Sequence, residues 1–182
     1  MTVQQFQLRE VERAICDLLT EQELGVLSTV RGDGSPSASV MSFAGDGSAV
    51  YCHTFGYTRK SEDLRRDPRV AYTLAHLPGQ GKNGSLATRM VQMSGRAAFV
   101  DDPSEIDRAV ALCAKQFYWL ADERRRAGFE RDAREGRLAF FRIRPLQALW
   151  NDNRTGAAWR VLVNFSPEGQ VAGLEPYGPV LP

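Results

Sequence analysis

The chain has 182 residues, enough for one domain with a full hydrophobic core and too few for two ordinary ones. Hydrophobic residues make up 43% and charged residues 25%, which excludes a disordered protein. A formal net charge of +1, with both signs interspersed, leaves no electrostatic footprint for nucleic acid or an anionic membrane, so any acidic ligand must be held locally.

Cys16, Cys52 and Cys113 are odd in number, far apart and match no metal-ligand spacing, and the N-terminus lacks the apolar run of a signal peptide. No apolar stretch approaches the roughly 20 residues that span a bilayer. A cytoplasmic protein with no metal and no membrane segment is expected.

In chain order, Leu8, Val11, Ile15, Leu18 and Leu19 recur at helical spacing between charged residues, which predicts an amphipathic helix within residues 1–24 that packs on the body of the domain. Gly25 to Val30 reads as a strand. The turn-rich Arg31-Gly32-Asp33-Gly34-Ser35-Pro36 leads into a second, Ser37 to Phe43. Ala44-Gly45-Asp46-Gly47 reads as a turn into a third, Ser48 to Thr54.

The stretch from Val50 to Leu74 then reads as strand, tight loop, short helix and strand. Thr58 is positioned to cap the helix, Pro68 to stop it, and Arg69 to Ala75 to resume an extended pattern. Such a cap places Arg59 and Lys60 in the first helical turn, where the macrodipole disfavours cations by on the order of 0.3–1 kcal/mol each. An anion reverses that sign. Free backbone N–H groups, two cationic side chains and the hydroxyls of Thr54 and Thr58 together suit a phosphate, the competing reading being a solvated basic pair.

Leu77 to Thr88, rich in glycine, has the composition of a mobile loop fit for a lid or a partner contact. Arg89 to Val100 is a long strand in which Gly95 marks a bulge or a close backbone approach. Asp102-Pro103-Ser104-Glu105 combines an N-cap, a proline at the first helical position and a capping-box glutamate, and Ile106, Ala109, Val110, Cys113 and Phe117 line one face of the helix that it opens. Asp122 to Glu135 mixes charges at helical spacing and reads as a solvated helical face. Leu138 to Ile143 and Leu146 to Trp150 are strands around Pro145, which as a strand breaker implies an edge or a bulge, Asn151 to Gly156 turns, and Ala157 to Val163 is a last strand. Residues 166–182 lack periodicity and are expected to run extended over a surface. Strands in runs with helices between them argue for a closed antiparallel β structure, and there is no G-x-G-x-x-G.

Gly32 to Phe43 (G-D-G-S-P-S-A-S-V-M-S-F), Tyr51 to Lys60 (Y-C-H-T-F-G-Y-T-R-K) and Asp63 to Val70 (D-L-R-R-D-P-R-V) follow one another in an order and spacing that resembles the pyridoxamine 5'-phosphate oxidase-like superfamily, the flavin-binding split barrels. The resemblance covers Gly25 to about Arg160, within a domain of residues 25–165. It implies a mainly β fold, a six-stranded Greek-key split barrel with inserted helices. It also implies a homodimer, with FMN in two clefts at the interface and a small-molecule substrate. In such proteins an Arg-Lys pair after a Thr binds the flavin phosphate, which matches Thr54, Arg59 and Lys60. The strand beside the flavin ring matches Ala38, Ser39, Val40, Met41 and Ser42. His53 stands where these proteins often carry Tyr or His beside the cofactor, although by itself it reads as a satisfied strand histidine. Trp150 and Arg160 keep the ten-residue spacing of a Trp and an Arg near FMN in the oxidases.

The departures concern both the substrate and, at Ala38 and Met90, the cofactor. The arginine of the family's flavin strand is Ala38 here, the glutamine of R-Q-V is Met90, and the R-L-H element that grips pyridoxal falls on Gly156-Ala157-Ala158. The expected function is an FMN-dependent oxidoreductase of a small molecule other than pyridoxamine 5'-phosphate, with no side chain singled out as acid or base. Three alternatives stand beside it: a deazaflavin-dependent reductase of the same fold, a non-enzymatic flavin or haem binder with His53 or His76 as axial ligand, and a barrel that has lost its cofactor.

Overall fold

The structure, a computed structural model, describes residues 5–78, 87–156 and 159–177, with side chains from residue 8 onward. The elements are α1 (Gln5–Glu21), β1 (Leu24–Val30), β2 (Pro36–Ser42), β3 (Ala44–Asp46), β4 (Ala49–Phe55), α2 (Arg59–Arg66), β5 (Arg69–His76), β6 (Arg89–Phe99), α3 (Pro103–Gln116), a 3-10 turn (Tyr118–Ala121), α4 (Glu123–Arg134), β7 (Leu138–Asp152), β8 (Arg160–Phe165) and β9 (Val171–Pro176). Six long strands follow the path β2-β1-β5-β6-β7-β4, each antiparallel to its neighbour. The chain skips strands to place β5 against β1 and β7 against β4, the Greek-key connections of a split barrel.

Side-chain alternation builds two cores. Val50 and Cys52 on β4 point into the barrel, where Val11, Ile15, Leu18 and Leu19 of α1 pack with Leu27, Phe43, Tyr72, Val91, Phe141 and Trp150. Tyr51, between them on the same strand, points the other way and joins Phe140 of β7 with Ala109, Cys113, Phe117, Phe129 and Ala133 of the helical layer. With both faces covered, β4 reads V-Y-C, without polar alternation.

Four local readings are corrected. The turn after Phe43 is tighter than expected, with Ala44–Asp46 forming β3 against β4 and Gly47 alone taking a positive φ of 62°. The capping box of α3 is half made. Asp102 accepts the Glu105 N–H at 2.9 Å, but the Glu105 carboxylate turns instead to Arg142 at 2.7 Å and to the Tyr51 hydroxyl at 2.8 Å, because a partly buried cation and a phenol on a buried ring need a partner more than an exposed N–H does. Pro145 marks a bulge, one of the two readings the sequence offered, but does not split β7. Gly95 pairs with Pro145 and Ser94 with Gln147, so Leu146 bulges out and the strand runs on through the irregularity. The segment after Ser166 returns as β9 against β8 through a turn with Gly169 at φ 88°, where the sequence alone suggested an unpaired tail. Residues 79–86 of the expected loop, Ala157 and Ala158 at the expected start of the last strand, and Pro179 and Pro182 of the tail lie outside the described residues.

The bulge depends on Gly95, where a Cβ would stand 2.4 Å from the Arg144 carbonyl oxygen and 3.2 Å from Ile143 Cγ2. Neither neighbour is the loose end of a flexible side chain. Gly95→Ala is therefore expected to destabilise by about 1–3 kcal/mol, read as a lower urea midpoint at unchanged slope. An unaltered midpoint would contradict the close approach.

Candidate functional site

The loop after β4 returns into α2 through two threonines. Thr58 is the N-cap of α2 and accepts the Ser61 N–H at 3.3 Å, while its hydroxyl lies 3.1 Å from that of Thr54 at the end of β4. The cap puts Arg59 and Lys60 in the first turn. They line a cavity of ≈ 410 Å³ together with Ser37 and Ser39 of β2, Arg31 and Arg66, and with the carboxylates of Asp33, Glu62 and Asp63. Arg66 is already paired, to Glu62 at 3.0 Å and Asp63 at 3.8 Å. Arg59 and Lys60 form no ion pair among the described residues. The Lys60 ammonium is half-buried and reaches only Met41 Sδ at 2.7 Å, a weak acceptor. Burial pulls its pKa below the ordinary lysine value. Two unpaired cations and two serine hydroxyls at a helix N-terminus form a donor set that suits a phosphate.

The structure thus brings Ser39, Met41, Arg59 and Lys60 to one place, while Thr54 reaches it only through Thr58 and itself lines a different cavity with His53. Ala38 and Val40 alternate with Ser39 and Met41 on β2 and face outward, Val40 with 71% of its surface exposed. The Ser42 hydroxyl donates to the Glu23 carboxylate at 3.2 Å.

His53 lies elsewhere. Being one residue from Thr54 on a strand covered on both sides, its ring turns toward the helical layer, 5.0 Å from the Phe129 ring, 5.8 Å from Phe140 and 5.9 Å from Phe117. Its Nδ1 is buried without a hydrogen-bond partner. Trp150 and Arg160 are apart from both. Trp150 is buried in the barrel core, and it lines with Arg160, Trp159 and Arg154 a cavity of ≈ 590 Å³ beneath α1. Within it, Arg154 is held by Asp152 through two hydrogen bonds at 2.9 and 2.6 Å.

Sequence reasoning missed Arg31, Ser37 and Arg66 at the cationic cavity and the aromatic rings around His53. Phe129 and Ala133, four residues apart inside the charged α4 segment, were the available signal for a buried helical face. Nothing in the spacing of Arg31 or Ser37 signals their convergence with α2, which depends on pairing of β2 with β1. Among the described residues no group of three or more His, Cys, Asp or Glu is placed to hold a metal, and no helix is long and apolar enough to cross a membrane.

Burial first, and then the Lys60 charge, lower the His53 pKa from 6.5 to about 4. Between those values the unfolded chain binds a proton that the folded chain refuses, so stability is full above about pH 6.5 and falls as pH drops toward 4. The loss attributable to this group is on the order of 3 kcal/mol. Urea midpoints at about pH 7 and 5 should differ more in the unaltered protein than in His53→Phe, which has nothing to titrate there; equal differences would place the ring in a solvated setting.

A family model described as pyridoxamine 5'-phosphate oxidase matches residues 11–149. No curated protein matches the chain. Among solved structures, the conserved hypothetical protein Rv2991 from Mycobacterium tuberculosis is 25% identical, with a TM-score of 0.64 over 79% of this chain and 85% of its own. A FAD-binding protein from Mesorhizobium loti shares the fold at 23% identity and a TM-score of 0.56, over 75% of this chain and 90% of its own. A haem-binding protein from Mycobacterium smegmatis does so at 18% identity and a TM-score of 0.65, over 85% of this chain and 57% of its own. With more than half of its length inside the family model, the chain belongs to the pyridoxamine 5'-phosphate oxidase family.

Proposed function

We propose that the protein is an FMN-dependent oxidoreductase acting on a small molecule other than pyridoxamine 5'-phosphate. The observation that carries this reading is the half-buried Lys60 ammonium beside Arg59, neither of them paired, at the capped start of α2. A buried cation with only a thioether for company is under-satisfied, and a phosphate in the ≈ 410 Å³ cavity supplies the missing anion. Lys60 and Arg59 hold that phosphate, Ser37 and Ser39 add hydroxyls, and the Thr54–Thr58 pair keeps the loop in register. Bound there, FMN supplies the hydride or electron chemistry. The protein's part is to bind and orient. Of the two cations equally near in sequence to the position of the missing substrate clamp, Arg154 is committed to Asp152, and Arg160 lines the ≈ 590 Å³ cavity.

Association with a second copy is part of the proposal. Across β2, β1, β5 and β6 the outward residues form two rows, Val40-Val26-Thr73-Gln92 and Ala38-Ser28-Ala71-Ser94, with no charge in either. Val40 and Val26 are 71% and 42% exposed. Depletion of charge marks the core of an interface. In one chain the cationic cavity and the Trp150–Arg160 cavity are separate, and a homodimer through this face is the arrangement in which residues of two copies share a cleft.

Lys60→Ala and Arg59→Ala should each weaken FMN binding roughly ten- to hundredfold without lowering the unfolding midpoint, since a charge-assisted contact contributes about 1.5–3 kcal/mol. Flavin titration of purified protein measures this. Unchanged affinity in both variants sinks the phosphate assignment, and the visible spectrum separates FMN from a deazaflavin or haem. Sedimentation at micromolar concentration should show a dimer burying well over about 1,000 Å². Val40→Asp, which adds charge on the edge strand of the face without touching the core, should shift it to monomer. A monomer that binds FMN as tightly as the dimer contradicts a shared cleft.

A further inference from the structure

On the helical side of β4 a second cavity, of ≈ 510 Å³, opens beside His53 and is lined also by Trp119, Arg125, Phe129, Asp132 and Leu138. That volume lies within the range of about 300–1,000 Å³ typical of small-molecule sites. Its walls are chiefly aromatic: Trp119 and Phe129 meet edge to face at 5.7 Å, and both rings lie within 6.4 Å of the His53 imidazole. Four polar groups break this apolar lining, of which Thr54 is bonded to Thr58 and Asp132 to Arg137, leaving His53 and Arg125. His53, kept neutral by its burial, has a ring nitrogen, Nδ1, with no hydrogen-bond partner. A phenylalanine would fill the same space among these rings without leaving a polar atom unpaired. Arg125, on the exposed side of α4, forms no ion pair among the described residues, whereas its neighbour Asp132 is bound to Arg137 at 2.5 Å and Arg126 to Glu130 at 3.1 Å. A neutral hydrogen-bonding ring inside an aromatic pocket and a free guanidinium at its mouth are complementary to one kind of molecule.

We propose that this cavity is a second small-molecule site, on the other side of β4 from the cationic cavity, that takes an aromatic carboxylate bearing a ring hydroxyl. The ring packs against Trp119 and Phe129, the hydroxyl exchanges a hydrogen bond with neutral His53, and the carboxylate pairs with Arg125. Thr54 lines this cavity too and is shared with the phosphate grouping, but His53 and Arg125, on which the proposal rests, take no part in that grouping.

Calorimetric titration of the full chain with 4-hydroxybenzoate, benzoate and phenol tests the assignment. 4-Hydroxybenzoate should bind saturably with a Kd of about 1 mM or tighter, and phenol, lacking the carboxylate, about tenfold or more weakly. Arg125→Ala, an exposed substitution that leaves the core intact, should reduce 4-hydroxybenzoate binding by a similar factor and leave phenol binding and FMN titration unchanged. His53→Phe should bring 4-hydroxybenzoate down to the affinity of benzoate while benzoate itself is unaffected. Absence of saturable heat with all three compounds overturns the proposal, as does binding that Arg125→Ala leaves intact. A Soret band on haemin titration that disappears in His53→Phe would overturn it too, by giving the cavity to haem.

Discussion

The arrangement of this protein turns on β4, a strand covered on both faces. Strand side chains alternate by necessity, so Val50 and Cys52 fill the barrel while Tyr51 and His53 enter the layer formed by α3, the 3-10 turn and α4. Thr54, one residue on, is brought back to Thr58 and the start of α2. A single-residue slip of β4 against β7 would exchange these sets, putting an imidazole in the barrel core and valine among the charges of α4. The register from Val50↔Ile143 to Phe55↔Leu138 is therefore fixed by burial on both sides. The separation of the cationic cavity from the His53 cavity is a direct consequence.

The cationic cavity places charge where the backbone alone disfavours it. Arg59 and Lys60 stand in the first turn of α2, whose macrodipole repels them, and Lys60 is also partly removed from water. The last turn shows the opposite arrangement: Arg65 and Arg66 sit at the favourable end, with Arg66 bound to Glu62 and Asp63 and Arg65 bonded to the Ser61 hydroxyl at 2.9 Å. Within eight residues one pair of cations is satisfied and the other is not. Binding sites commonly concentrate such local cost, because the ligand removes it.

The same economy of charge shapes the outer face of the barrel. Rows that cross β2, β1, β5 and β6 carry Val, Thr, Ser, Ala and Gln, while the arginines of this half of the molecule are drawn to its rims, as with Arg69, which lies against Asp67 at the start of β5. On a monomer in water an uncharged sheet face with an open edge strand invites pairing with another chain. The cationic cavity opens beside the edge strand β2, next to this uncharged face.

Local chemistry in the sequence determined the elements that rest on near neighbours. The Thr58 cap, the stop at Pro68, the Asp102 N-cap, the bulge at Gly95 and the amphipathic face of α1 are decided within a few residues, where backbone geometry and side-chain hydrogen bonds act without help from the rest of the chain. The Thr54, Arg59 and Lys60 grouping was legible for the same reason. Tertiary structure alone decided what depends on distant partners. Glu105 leaves its cap for Arg142 because β7 brings that cation to it, and Pro145 remains inside a strand because Gly95 opposes it. Arg31 and Ser37 join α2 only through the hairpin of β1 and β2, and His53 faces Phe117, Trp119 and Phe129 rather than β2 because helices cover the outside of β4. The sequence states which side chains alternate, and only the packing of the layers states what each side of the strand meets.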